Sequence, residues 1–439
     1  MNNFKRITAI LISLVIISGS FVCFAATDGK QYYDYDKVLL LGDSEASGFT
    51  DYDDEMSEFN RVDDSYAAYV ADELGAELIP MACPGFRTIE LRYMLDDSYR
   101  PDDKYLFDKV PRTPKDEILA KVPQLRQAIA ESDLIMIGIG GNDWGAYLGW
   151  VMADVQLENN VSEEYRQALR EFLESATVED SIISKIIELA DYLNAMDELA
   201  AALPEAMNYA FGNLRENWNY IIEYIYEKNP DVTIAVIGMF PTYYQTPEGE
   251  PDNIAQPNAL KMLVEDSIID YGNKHMVENQ EKYGYIYVDT FGTVVELSHP
   301  TVAGHRFIAD RIFEALPDAR FPYKDISYGA AEYKAVEYMY LNGLMTGKDD
   351  ESFGGEEKMT KAELSAVLNK IADYEETDST SEVNGFSLNT ALYKASDSKG
   401  IFEFFSYVYE SLELILTGKG FKAVTRAEAA FEIYNALIK

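Results

Sequence analysis

Residues 38–44, Val38-Leu39-Leu40-Leu41-Gly42-Asp43-Ser44, decide the fold. Four consecutive apolar residues stopped by Gly42-Asp43 read as a strand buried on both faces, the kind found in parallel sheets covered by helices. A serine directly beyond such a strand stands where open α/β sheets put their ligands. A strand-end serine is also an ordinary helix cap. Ser44 therefore needs support from the rest of the chain.

Similar apolar runs recur at 76–81, 134–139, 232–239 and 285–288. Helical periodicity fills the intervals near 65–74, 114–132, 211–228, 257–282 and 303–316. This alternation over residues 36–318 predicts a parallel sheet with helices on both faces. Residues 146–210 break the rhythm. They hold no strand candidate, and Ile182, Ile183, Ile186, Ile187 and Ala190 follow helical spacing. The segment reads either as a helical packing layer or as a lid over a site.

At 439 residues the chain is too long for one ordinary domain. Lys5 and Arg6 precede an apolar stretch, 7–24, that ends in Ala25-Ala26. Residues 1–26 thus have the charge, apolar run and small-residue exit of a secretory signal peptide, with an uncleaved anchor as the alternative. No later stretch is apolar enough to predict a transmembrane segment. Of the two cysteines, Cys23 lies in that leader, so Cys83 alone would remain and no internal disulfide is expected. The formal charge of −39, from 76 acidic and 37 basic residues, argues against nucleic acid as a partner, because binding it needs a basic face. The three histidines, His275, His299 and His305, show no zinc-type spacing.

Four short blocks, each at the end of a strand candidate, read as parts of one hydrolytic site. The first is Gly42-Asp43-Ser44, with Ser44 as a nucleophile that needs a base to take its proton. Its surroundings, Gly42-Asp-Ser-Glu-Ala46, are not a G-x-S-x-G elbow. The second is Ala82-Cys83-Pro84-Gly85-Phe86, in which Gly85 lets a backbone N–H approach a ligand closely. The third is Gly138-Ile-Gly-Gly-Asn142-Asp143. Its Asn142 offers an amide donor to the negative oxygen that acyl transfer builds up. A phosphate loop is excluded there, because Asp143 occupies the last glycine position of G-x-G-x-x-G. The fourth is Glu296-Leu-Ser-His299-Pro300. His299 would act as general base, with Glu296 orienting its imidazole. His305, in the next helix, is read as structural.

Ser44, Gly85, Asn142 and His299, in this order, resemble the four blocks of the SGNH (GDSL-like) hydrolase superfamily. The resemblance spans about residues 36–318. It implies a flavodoxin-like three-layer α/β/α sandwich with a parallel sheet. It also implies a serine that attacks an ester carbonyl, and an oxyanion hole made by the Ser44 N–H, the Gly85 N–H and the Asn142 amide. No metal or organic cofactor is expected. Two positions depart from the pattern. Glu45 stands where the GDSL string has leucine, and Glu296 stands where the family usually has aspartate. Asp289 is a second candidate carboxylate, although Tyr287-Val288-Asp289-Thr290 looks like a structural strand end.

Beyond Pro322 the strands vanish. Met359-Thr360-Lys-Ala-Glu363 and Val424-Thr425-Arg-Ala-Glu428 are capping boxes 65 residues apart, each followed by a helical apolar pattern. With Asn342-Gly-Leu-Met-Thr-Gly347, they resemble surface-layer homology (SLH) repeats. That resemblance implies a small all-α C-terminal region binding cell-wall polymer on a Gram-positive-type envelope. The expected division is a hydrolase domain over 36–318, one repeat over 319–373, a polar linker over 374–391 and a degraded repeat over 392–439. The whole reads as a secreted serine esterase acting on an acetylated glycan or a short acyl or lipid ester. A non-catalytic surface protein on the same fold, and a thioesterase or lysophospholipase, are the alternatives.

Overall fold

The computed structural model describes residues 31–438 apart from 50–58, 104, 108–112, 145, 159–160, 176–185, 187–188, 243–258, 297–298, 350–351, 373–379 and 396–421. The signal-peptide reading of 1–26, and the helical spacing at Ile182, Ile183 and Ile187, lie outside the described residues.

Among the described residues, five strands form a parallel sheet in the order β2-β1-β3-β4-β5. They are β1 (Lys37–Gly42), β2 (Glu77–Ala82), β3 (Leu134–Gly138), β4 (Thr233–Ile237) and β5 (Ile286–Val288). Side-chain alternation splits each apolar run between two cores. Leu39, Leu41, Ile135, Ile137, Ile234 and Val236 face one helical layer. Val38, Leu40, Leu134, Met136, Ala235 and Ile237 face the other. Both faces of β1, β3 and β4 are buried, which is why those strands are nearly continuous apolar runs and not alternating ones. Each fully buried Leu or Ile contributes about 1.5–3 kcal/mol.

After β1 come α1 (Ser44–Ser47) and α2 (Tyr66–Leu74), and after β2 come α3 (Thr88–Leu95), α4 (Lys115–Ala120) and α5 (Val122–Glu131). After β3 the described residues include α6 (Gly141–Trp144), α7 (Ala146–Glu158), α8 (Glu163–Ser175) and α9 (Met196–Lys228). Then α10 (Ala259–Tyr283) precedes β5, and α11 (Val302–Ala315) closes the sandwich. Leu91 and Met94 of α3, Leu125 of α5 and Trp218 of α9 cover the first face. Val70 of α2 and Ile308 and Ile312 of α11 cover the second.

The chain leaves β1 for β2 on one side and returns to β3 on the other. The crevice between the carboxyl ends of β1 and β3 is therefore the switch point where such sheets hold ligands. Gly42 and Gly138 are register partners there. A Cβ on Gly42 would stand 2.2 Å from the Gly138 carbonyl oxygen, so only glycine fits.

The insertion has a core of its own. Trp150, Met152, Tyr165, Leu169, Ala202 and Ala206 bury one another, with Tyr105 added from the loop after α3. The 33-residue α9 runs from that core into the main one, which joins the insertion to the sandwich through one continuous helix.

The C-terminal region holds α12 (Tyr333–Leu341), α13 (Lys361–Ile371), α14 (Gly385–Ala395) and α15 (Arg426–Ile438). Residues 380–395, which span the expected linker 374–391 and the start of the second repeat, hold a short bridged segment that leads into α14. Three short segments close a ring of backbone hydrogen bonds. The Met359 N–H donates to Val424 at 2.9 Å, the Val424 N–H to Val383 at 2.8 Å, and the Val383 N–H to Met359 at 2.8 Å. Each segment leads into a helix through a reciprocal cap: Thr360 with Glu363, Asn384 with Ser387, and Thr425 with Glu428. The middle unit reads as a linker because its cap uses Asn and Ser in place of Thr and Glu. Val383, Leu388 and Ala391 are nevertheless buried in the shared core.

Candidate active site

Ser44 opens α1, and Asp43 caps it by accepting the Glu45 N–H at 3.1 Å. As the first helical residue, Ser44 has an N–H with no intrahelical acceptor. Past β5, a two-residue antiparallel ladder pairs β6 (Val295–Glu296) with β7 (His299–Pro300). This short hairpin turns His299 back over the sheet end. Its Nε2 lies 2.9 Å from Ser44 Oγ. The Phe49 ring meets the imidazole edge-on at 4.8 Å between centroids. For Nε2 to accept the hydroxyl proton, the neutral ring must carry its hydrogen on Nδ1.

Glu296 is the direct cross-strand partner of His299, which puts both side chains on one face of the ladder. Among the described residues no hydrogen bond joins the Glu296 carboxylate to the imidazole. Asp289, the second candidate, accepts the Phe291 N–H at 3.0 Å in a turn after β5. His305 is buried 5.9 Å from the Tyr66 ring, and burial, then the nearby His299, push its imidazole down to about 4. It stays neutral at ordinary pH.

Gly85 is buried with φ +84°, a conformation glycine alone adopts freely. Among the described residues its N–H has no acceptor. Asn142, in α6, donates from Nδ2 to the Phe86 carbonyl at 3.0 Å, which leaves the second N–H of the same nitrogen for another acceptor. The neighbouring Asp143 is buried and accepts the Thr88 N–H at 2.9 Å and the Thr88 hydroxyl at 2.5 Å. Asn142 and Asp143 thus bolt the loop after β3 to the loop after β2.

The description GDSL-like Lipase/Acylhydrolase matches residues 38–312, well over half of the chain. The chain belongs to that family. The S-layer homology domain matches residues 322–365. Among solved structures, an extracellular lipase from Streptomyces rimosus is 15% identical with a TM-score of 0.36, over 64% of this chain and 99% of that one. A phospholipase A1 from Streptomyces albidoflavus is 16% identical with a TM-score of 0.35, over 64% of this chain and 99% of that one. A family two carbohydrate esterase from Clostridium thermocellum is 14% identical with a TM-score of 0.30, over 66% of this chain and 65% of that one. No curated protein matches the chain.

This GDSL-like hydrolase is therefore an ester hydrolase with an S-layer homology domain after its α/β sandwich. Of its sequence-derived candidates, Ser44 and His299 are in direct contact, and Asn142 is tied to the Gly85 loop. Glu296 stands beside His299 across the ladder. Glu45, at the leucine position of the motif, lines a small cavity with Tyr66, Gly141 and Met239. Burial, then the nearby Asp43, raises its carboxyl well above the usual range. Sequence reasoning on the hydrolase missed Arg87, Thr88 and Asp143 as supports of the site. Their one signal was adjacency: Asp143 follows Asn142, and Arg87-Thr88 follow Gly85-Phe86.

Proposed function

We propose that Ser44 and His299 carry the ester hydrolysis. His299 Nε2 takes the Ser44 proton as Oγ attacks the ester carbonyl carbon. The carbonyl oxygen, now negative, receives the Ser44 and Gly85 N–H groups and the Asn142 amide. As the tetrahedral intermediate collapses, the imidazolium returns the proton to the leaving alkoxide and an acyl-serine remains. Water then repeats the sequence: His299 takes its proton, the hydroxide adds to the acyl carbon, and the acid leaves as Ser44 Oγ regains a proton. Glu296 is proposed as the orienting carboxylate of His299.

The observation that carries this reading is the 2.9 Å contact between Ser44 Oγ and His299 Nε2, from residues 255 apart in sequence. The N–H of buried Gly85, which has no acceptor among the described residues, supports the oxyanion assignment. The proposed substrates are carboxylic esters, either acetylated glycans or short acyl and lipid esters. The protein is further proposed to be exported and held at the cell wall by its C-terminal region, whose residues 322–365 match the S-layer homology domain. The test is a panel of p-nitrophenyl esters, acetyl-xylan and lysophospholipids. Wild-type protein should cleave at least one class, and Ser44→Ala and His299→Ala should lose nearly all of that activity. A folded Ser44→Ala variant that kept its rate would remove the reading.

A further inference from the structure

The loop bearing Gly85 is anchored on its far side by a buried cation. Arg87 is the N-cap of α3, and only 2% of its side chain is exposed. Its Nε and Nη2 donate to the two oxygens of Glu90 at 3.1 and 2.7 Å, and Nη1 donates to Asp103 at 3.0 Å. Glu90 also accepts the Arg87 N–H at 3.0 Å, so one carboxylate caps the helix and grips the guanidinium. Asp103 in turn accepts the hydroxyl of Tyr209, which lies on the insertion half of α9. One Arg faces two acids, all at most 2% exposed in their side chains.

A cluster of this kind is costly to assemble, and removing one partner leaves an uncompensated buried charge. Its position gives it a use. Arg87 is two residues from Gly85, and between them lies Phe86, whose carbonyl holds Asn142. The tetrapeptide Gly85-Phe86-Arg87-Thr88 is pinned at Phe86 and Thr88 by the β3 loop, and at Arg87 by Asp103 and the insertion. Without the Arg87 anchor the segment could rotate about those two pins, and the Gly85 N–H would swing with it.

We propose that Arg87 is a positioning residue for the oxyanion site, and that Asp103 and Tyr209 extend its grip to the helical insertion. It touches no reacting atom. It fixes the direction of the Gly85 N–H and the place of the Phe86 carbonyl that orients Asn142. The insertion is then a buttress of the site and not a lid over it. This inference rests on the oxyanion reading of Gly85 and Asn142 given above.

The experiment compares Arg87→Lys, Tyr209→Phe and Asn142→Ala with wild type. Lys keeps the charge opposite two buried acids but cannot form the planar fork. Tyr209→Phe removes one hydroxyl and keeps the ring, so it carries the test if Arg87→Lys fails to fold. Each variant is read for kcat, KM and inhibition by a trifluoromethyl ketone, which forms a tetrahedral oxyanion adduct with a serine. A displaced donor should lower kcat roughly 10–100-fold for Arg87→Lys and by a smaller factor for Tyr209→Phe, with KM within about twofold. The ketone inhibition constant should rise by the factor by which kcat/KM falls. If both folded variants keep kcat within about twofold while Asn142→Ala falls by roughly 10²–10³, the positioning role fails and the oxyanion reading stands. A change confined to KM also overturns it. If Asn142→Ala keeps its kcat and ketone affinity, the oxyanion reading itself fails and takes the inference with it.

Discussion

Asp43 shows how much one buried carboxyl next to the proposed nucleophile can govern. It is 1% exposed, and burial, opposed by the α1 backbone and reinforced by Asp143, pushes its carboxyl from 3.8 up to about 7. Between about pH 4 and 7 the folded chain therefore holds a proton that the unfolded chain has released. The contribution to stability is complete below the unfolded value and is lost as pH rises through the folded one. Asp43→Asn keeps an acceptor at the helix N-cap. Its melting temperature should fall less steeply than that of wild type as pH goes from about 4 to 7. Parallel curves would show that Asp43 does not titrate in this range. Glu296 is the second residue whose role turns on a small distance. It faces His299 across the ladder, one methylene longer than the aspartate usual in the family. If the longer arm folds back to hold the Nδ1 hydrogen, Glu296→Gln should lower kcat by roughly 10²–10⁴-fold. A loss below about tenfold in steady-state kinetics would leave Ser44 and His299 acting as a pair.

At the scale of elements, the reach of the sequence followed the strength of its periodicity. The central strands were legible because a strand covered on both faces must be apolar throughout, and Val38–Leu41 and Leu134–Ile137 are. The order of the four blocks made the crevice legible too. The β6–β7 hairpin that delivers His299 was not: two residues on each side carry no periodic signal. The same holds for the charged anchor at Arg87, whose partners Asp103 and Tyr209 lie 16 and 106 residues apart from Arg87 and Asp103 respectively. The third C-terminal unit was hidden by composition, since Ser, Thr and Glu around 374–382 look like linker. Its Val383 nevertheless completes the ring. Val383→Asp would bury an uncompensated charge in that core. Because the three hydrogen bonds are cyclic, the Met359 and Val424 amides should lose hydrogen-exchange protection together with residue 383. Protection retained at both would mean the three units do not open as one.

At the scale of the molecule, the ring is seated on the sandwich. The Ala319 N–H donates to the Gln31 carbonyl at 2.7 Å, and the Asp318 N–H donates to Glu337 at 2.8 Å. Lys334 reaches the Leu316 carbonyl at 3.1 Å, and Tyr328 packs on the second sandwich core. A Cβ on Gly329 would lie 2.1 Å from the Gln280 carbonyl oxygen, so the backbones of the two regions touch there. A cut near Asp318, the boundary suggested by sequence, would strip Asp318 and Leu316 of partners and uncover the surface under Tyr328. The proposed chemistry, in contrast, draws on residues between 44 and 299. A chain ending at Asp318 should therefore melt several degrees below the full chain, yet keep its kcat on a small p-nitrophenyl ester well below that temperature. Gly329→Val, which forces the backbones apart without removing the ring, should lower the melting temperature in the same direction while leaving retention on cell-wall preparations intact. The truncated chain should lose that retention. If truncation changed neither melting nor retention, the joint would carry no energy and the ring would not hold the enzyme at the wall. If Gly329→Val lost retention while its ring amides stayed protected, the binding surface would have to span both regions.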